Sequence, residues 1–480
     1  MFTKETYIQR RQALKKQVGT GVVLLLGNEE SGMNYAANTY HFRQDSSFLY
    51  FFALDKPSLA AVIDLDNNEE IIFGDELSID DIVWVGTLES LKSQASREAG
   101  INQVQASQAL KNYLAKIKKE GRAVHFLPPY RPENKLKLQD LLGVHPNESK
   151  QAASVKLIKA VVAQREIKSE EEIAEIEKAV LITNEMHLKA MKMAAPGLTE
   201  AEIAAAVTKI PLSYDTNLSF PVIATVKGEV LHNHHHHNTL KEGQFFLLDA
   251  GAETKLHYAG DMSRTYPVSA KFSARQKKIY TICLDAHEAA IKKCGPGVKY
   301  KDVHFTAATT IIKGLKQLGV MKGDETAAAQ AGAHALFFQC GTGHQMGLDV
   351  HDMEDLGEQY VGYTEEEPKN TQLFGIKSLR MGKELKPGMV ITIEPGIYFI
   401  PELIDMWKAE NRFSEFISYD KVEEYRDFGG IRNEDDVLIT KTGYKIFGGF
   451  VPKTIADIER YKAGESLEDI IASKKRALQT

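Results

Sequence analysis

A chain of 480 residues with a formal net charge of −6 and 26% charged residues exceeds what one hydrophobic core usually supports, so two domains are expected. The chain does not resemble a nucleic-acid binder, which would be basic with clustered Lys and Arg, and no apolar run is long enough to span a bilayer, so neither nucleic acid nor membrane is an expected partner. The opening MFTKETYIQRRQALKK lacks the apolar stretch of a secretory signal, and the odd number of scattered cysteines, Cys283, Cys294 and Cys340, suits reduced thiols in a cytoplasm better than a disulfide framework.

The first half reads as an α/β domain. VVLLLGN at 22–28, LAAVIDLD at 59–66 and AVHFLPP at 123–129 are short apolar or alternating runs bounded by polar or turn-forming residues, as buried strands are. No cluster of metal-ligating residues falls among them. A boundary is expected near Arg165, dividing the chain into domains 1–165 and 166–480. There Ser169 with Glu172 forms a capping-box pattern, followed by Ile173, Ile176 and Val180 at helical spacing; Thr199 with Glu202 repeats the pattern after the breaker Pro196-Gly197.

From about Phe220 apolar runs alternate with turns, and carboxylates fall at or just after their ends. QFFLLDAG carries Asp249, YAGDMSRTY carries Asp261, MVITIEPG carries Glu394 and GIRNEDDVLIT carries Glu434; between the pairs lies GTGHQMGLDVHD with His344 and His351. Four carboxylates and one imidazole form a hard, oxygen-rich set suited to two divalent ions, whether Mn²⁺, Co²⁺ or Zn²⁺. Two such ions would nearly cancel the negative charge and make a shared water acidic enough to act as hydroxide near neutral pH. Metal-assisted hydrolysis is the predicted chemistry. Taken singly, Asp249 before Ala250-Gly251 and Asp261 after Gly260 could each be turn residues. Glu394 after Val390, Ile391, Thr392 and Ile393 would be buried and so must be paired or metal-bound. Glu434 alternates with Arg432 and Asp436 on one strand face, where salt bridges are the alternative.

The order Asp249, Asp261, His344, Glu394, Glu434 in these contexts resembles the pita-bread metallopeptidases, and within them the proline-specific branch of aminopeptidase P and prolidase. The resemblance covers nearly the whole chain. It implies an α/β N-terminal domain followed by an α+β pita-bread catalytic domain, and hydrolysis of Xaa-Pro dipeptides or short peptides between the N-terminal residue and proline. It also implies a homo-oligomer, dimer or tetramer. Its roles for single residues follow from matching positions: those five as metal ligands, Glu394 also as the proton shuttle for a hydroxide bridging the two metals, and His351 near the scissile bond. His232 in GEVLHNHHHHN would hold substrate and stabilise the developing oxyanion. Arg380 in SLRMGKELKPG stands where prolidases carry an arginine that pairs with the dipeptide's carboxylate, which favours the dipeptidase, although a surface charge is the alternative. The long segment between Glu394 and Glu434 also resembles prolidase, whereas FRQDSSFLYFFAL at 42–54 resembles aminopeptidase P. Arg432, Cys340 and Trp84 complete the expected substrate contacts. Trp84, in VWVG, would reach a neighbouring subunit's site, or else be a packing aromatic.

Three features depart from the family pattern. Cys340 stands where both enzymes usually carry a histidine, Asn433 replaces an apolar residue, and one extra residue separates the two aspartates, read as a loop insertion. The run His234 to His237 is peculiar to this chain and is read as a solvated loop, with adventitious metal binding as its alternative. Two other functions are weighed: a catalytically inactive binding protein on the same fold, and a creatine-type amidinohydrolase, which would lack the metal set. Organophosphate-ester hydrolysis would be a side activity of the same centre.

Overall fold

The computed structural model describes residues 1–477 and divides into two compact units: Met1–Arg165 with Met353–Tyr360, and Glu166–Asp352 with Val361–Thr480. The first unit is built on one five-stranded sheet in the order β4-β3-β2-β1-β5. The three expected runs supply β1 (Val22–Leu26), β2 (Ala60–Asp64) and β5 (Val124–Phe126). Two strands escaped the sequence reading, β3 (Glu69–Phe73) and β4 (Gln103–Gln105). β4 is polar and short, so only its parallel pairing with β3 defines it. Trp84 lies in this unit, 86% exposed on the short helix Ile79–Val85, none of whose residues is buried.

The second unit opens with the helix Glu170–Met193, closed at its start by reciprocal Ser169 and Glu172 bonds, and Thr199 with Glu202 caps the helix Glu200–Ser213 in the same way. Each box satisfies backbone N–H groups that the first turn leaves without partners. A three-stranded sheet follows: β6 (Ile223–Thr225), β7 (Phe245–Asp249) and β8 (Ser263–Pro267), in the order β6-β7-β8. The remaining strands are β9 (Val390–Ile393), β10 (Gly396–Tyr398), β11 (Gly430–Arg432), β12 (Asp435–Ile439) and β13 (Tyr444–Ile446).

β9 pairs with β12 and β10 with β11 in one continuous antiparallel register, since Ile393 faces Asp435 and Gly396 faces Arg432. The ladder is interrupted only at Glu394-Pro395 on one side and Asn433-Glu434 on the other. Pro395 has no N–H to donate, which helps to break the ladder there. The released backbone groups bond elsewhere: Glu394 N donates to Thr342 O (2.7 Å) and Glu434 N to Ser263 O (3.0 Å). The expected single strand face carrying Arg432, Glu434 and Asp436 is therefore corrected, because Glu434 occupies the break between two strands. β8 is tied to β11 through Thr265, whose hydroxyl accepts from Arg432 N and donates to Arg432 O. The helices Ala274–Lys293 and Tyr300–Gln317 pack their apolar sides into the same core.

A buried ion pair staples the start of this unit to the histidine-bearing segment: Lys168 Nζ lies 2.9 Å from Asp352, with both side chains 1% exposed. Removing Lys168 takes away the buried cation that balances the charge of Asp352. Lys168→Met is expected to destabilise the protein by about 3–5 kcal/mol, read as a lowered midpoint in thermal or urea unfolding; an unchanged midpoint would show that the other groups around Asp352 or water balance its charge without Lys168.

Candidate metal centre and active site

Five sequence-predicted residues converge in one cleft of ≈ 240 Å³: Asp249, Asp261, His344, Glu394 and Glu434 all line it. Asp249 ends β7, opposite Ser263 of β8, and Asp261 lies just before β8. The excursion between the two aspartates is tightly packed. A Cβ on Gly260 would come within 2.9 Å of the backbone of the helix Glu170–Met193, so only glycine lets Asp261 approach. Asp261 N donates to Asp436 Oδ2 at 3.0 Å, which orients the loop. Because of the shared register, Glu394 and Glu434 fall opposite one another across the interrupted ladder. Like charges directly opposite on paired strands repel.

His344 enters from the GTGH segment, which lies against β9. His344 N donates to Thr392 Oγ1 (3.1 Å) and Thr392 N to His344 O (2.9 Å). A Cβ on Gly343 would stand 2.2 Å from Thr392 O, so the close approach requires glycine at that position. The ring is oriented by Nδ1, 3.0 Å from Gln345 O. Since a carbonyl only accepts, Nδ1 carries the proton and the lone pair is on Nε2. That lone pair faces Asp261 Oδ2 at 3.5 Å and Glu394 Oε1 at 3.4 Å. A lone pair aimed at carboxylate oxygens is unfavourable unless a proton or a metal cation lies between them. Ligand atoms of Asp261, His344 and Glu434 come within 4.8 Å of one another, and Asp261 Oδ1 is buried with no hydrogen-bond partner. The donor set fits divalent cations.

The electrostatics agree. Burial, and then the neighbouring carboxylates, raise Asp261 and Glu434 well above the ordinary carboxylate range. Glu394 is also raised, by burial first, against the opposing pull of His344 and Arg432; it keeps 20% of its side chain exposed to the cleft. Asp436, which the sequence reading did not assign to the site, is likewise raised by burial and by Asp261.

Arg432 is buried beneath the carboxylates. It donates to Asp249 Oδ2 (2.6 Å), Ser263 Oγ (2.8 Å) and Tyr398 Oη (2.8 Å). It also lines the cleft with His232, Cys340 and His351. The His351 ring packs 4.1 Å, centre to centre, from that of His344. His232 is held below the usual histidine value by partial burial and by the charge of Arg432; Arg380 and His351 add to the effect. Arg380 is half-buried and does not itself line the cleft. Burial pushes the Cys340 thiol up to about 12, so it is neutral and cannot supply an imidazolium's charge. Asn433 faces away from the carboxylates and accepts from Tyr280 Oη at 3.2 Å.

Ser263 and Tyr398 were missed by the sequence reading. Ser263 donates to Glu434 Oε2 at 2.8 Å. Tyr398 follows Glu394 by four residues in GIY, the spacing of one strand face, and that was the available signal. Below the centre, Asp435 is paired with Arg264 and Lys453. Burial alone would raise it, but those two cations and His287 hold it far below the ordinary range.

Residues 174–441 match the model of metallopeptidase family M24, and residues 7–125 that of the aminopeptidase P N-terminal domain. Similar curated proteins include human Xaa-Pro dipeptidase, 29% identical with 92% of this chain and 89% of that one covered. Another is the Escherichia coli Xaa-Pro aminopeptidase, 27% identical with 95% and 97% covered. Among solved structures, Pseudomonas aeruginosa aminopeptidase PepP superposes with a TM-score of 0.79 at 26% identity, covering 96% of this chain and 98% of that one. Zinc-substituted E. coli aminopeptidase P in complex with product gives 0.78 at 27%, covering 96% and 99%. The chain belongs to metallopeptidase family M24, with an aminopeptidase P-type N-terminal domain and a pita-bread catalytic domain.

Proposed function

We propose that this protein is a proline-specific exopeptidase that hydrolyses the bond between an N-terminal residue and a following proline, with Asp249, Asp261, His344, Glu394 and Glu434 holding two divalent ions. The observation that carries the reading is the lone-pair face of His344 directed at Asp261 and Glu394. When bound, the ions supply Lewis-acid polarisation of the amide carbonyl and acidify a water. Mn²⁺ is the proposed metal, with Co²⁺ or Zn²⁺ as substitutes, on the strength of the oxygen-rich donors.

Glu394 takes a proton from the attacking water and passes it to the proline nitrogen. Its carboxylate oxygens lie within hydrogen-bond reach of a water held at the centre, which is what a group relaying a proton needs. A tertiary amide nitrogen departs poorly as an anion, so this delivery is essential. His232 and His351 hold the substrate carbonyl and disperse its developing charge. Arg432 keeps Asp249 in place through their bond. The similarity to proteins named both dipeptidase and aminopeptidase leaves the preferred length to Arg380, which inclines the protein to dipeptides. Trp84 remains our proposed contact to a neighbouring subunit in a homo-oligomer.

The test is hydrolysis of a Xaa-Pro dipeptide beside a Xaa-Pro-Yaa tripeptide, with Mn²⁺ and with a chelator. Metal-dependent cleavage of the dipeptide supports the reading, and no cleavage of either with any metal sinks it in favour of a binding protein on the same scaffold. Arg380→Ala is expected to lower kcat/KM for the dipeptide about 10²-fold, the scale of a lost charge-assisted bond, with a change of at most about threefold for the tripeptide. An equal loss on both would place Arg380 in general positioning.

A further inference from the structure

The segment LHNHHHHNT at 231–239 is not the uniformly solvated loop its composition suggests. Asn233 anchors one end, donating through Nδ2 to Thr225 Oγ1 (3.0 Å) and accepting from His235 N (3.1 Å). At the other end the buried carboxylate of Glu200 accepts from both Asn238 N and Asn238 Nδ2 (3.0 Å). Between these anchors the histidines alternate. His236 is half-buried, with Nε2 3.1 Å from Val222 O, and His234 lines the catalytic cleft. His235 and His237 are exposed, and their rings lie beside one another, tilted at 53° with centres 6.2 Å apart.

With roughly 2.1 Å from an imidazole nitrogen to a zinc-like ion and about 1.1 Å from nitrogen to ring centre, two rings on one ion have centres roughly 5 Å apart at a tetrahedral angle and up to roughly 6.4 Å when the ligands stand opposite. The two exposed rings, 6.2 Å apart, therefore need only a small turn about their side-chain bonds to share a cation. We propose that His235 and His237 form an accessory, solvent-facing site for one divalent cation of imidazole preference, Zn²⁺, Co²⁺ or Ni²⁺, at the rim of the catalytic cleft. Water completes the coordination. The site differs in kind from the carboxylate-rich centre: two imidazoles follow the order in which Ni²⁺ and Zn²⁺ far exceed Mn²⁺. Because the loop is tethered at both ends, the second imidazole is presented at high effective concentration once the first has bound.

The experiment is Ni²⁺ titration of the Mn²⁺-loaded protein by calorimetry, with metal content counted after gel filtration, for the wild type and for His235→Ala/His237→Ala. The wild type is expected to hold one Ni²⁺ per chain more than the double variant, and His235→Ala alone to weaken that event at least about tenfold by loss of the second ligand. His234→Ala, whose ring lines the cleft, is expected to keep the extra ion. Peptidase activity and the thermal midpoint of the double variant in Mn²⁺ serve as controls and should stay unchanged. Equal stoichiometry and affinity in wild type and double variant would overturn the proposal, and so would loss of the extra ion in His234→Ala with retention in His235→Ala. The outcome does not depend on which peptide the enzyme cleaves.

Discussion

Glu394→Gln is expected to leave a folded, soluble protein whose kcat on Xaa-Pro substrate falls about 10³-fold or more, with KM changed by no more than a few-fold. The amide keeps the size of the side chain and can still accept from Thr392 Oγ1, which lies 3.3 Å from Glu394 Oε1. It can neither hold the travelling proton nor contribute negative charge. General acid-base catalysis alone is worth about 10²–10⁴-fold, and weaker metal binding adds to that, so a loss of roughly 4 kcal/mol in transition-state stabilisation is the floor. Steady-state kinetics at saturating Mn²⁺, beside metal content and thermal midpoint, checks it. Retained activity with intact metal content would remove Glu394 from the proton path.

The second expectation couples metal, pH and stability. Asp261 and Glu434 have proton affinities raised above their ordinary values of 3.8 and 4.5. A carboxyl whose folded pKa is raised favours folding while it is protonated, so its contribution is complete below the ordinary value and is lost as pH rises through the raised one. The metal-free protein is therefore expected to lose stability as pH rises from about 4 into the neutral range. Added Mn²⁺ should restore stability most strongly at the upper end, because it neutralises the same charges. Asp261→Asn removes one member of the repelling set. It is expected to abolish peptidase activity by more than about 10³-fold through loss of a metal ligand, while raising the melting temperature of the metal-free protein at pH 7.5 and flattening its pH dependence. Differential scanning calorimetry with and without EDTA reads both effects. A metal-free Asp261→Asn protein that melts lower than the wild type at pH 7.5 would show that these carboxylates do not repel one another in the folded state.

The strands that lead to Asp249 and Glu394 were legible because each is a short apolar run with a carboxylate at or just after its end, and an acid placed there has few destinations other than a partner or a metal. The two capping boxes were legible for a local reason as well: both partners lie within one helical turn. Non-local pairing was not legible. The polar QVQ of β4 carries no periodic apolar signal and becomes a strand only beside β3. GIRNEDDVLI reads as one unbroken alternation, yet it splits at Asn433-Glu434 because its partner splits at Glu394-Pro395.

By itself, the sequence determined the chemical inventory: which acids and histidines exist, in what order, and that apolar runs hold them on rigid elements. Its family resemblance also determined the fold to expect. Only the tertiary structure decided that Glu394 and Glu434 oppose one another in register, that the Nε2 lone pair of His344 faces two carboxylates, and that Arg432 lies beneath Asp249 rather than on an open strand face. It also decided that a run of identical histidines divides into two sides. The physical reason is the same throughout. Residue type and spacing along the chain set what a side chain can bind, but the partners here lie far away in sequence, and their direction of approach is fixed by strand register and by backbone contacts that only glycine at Gly260 and Gly343 permits.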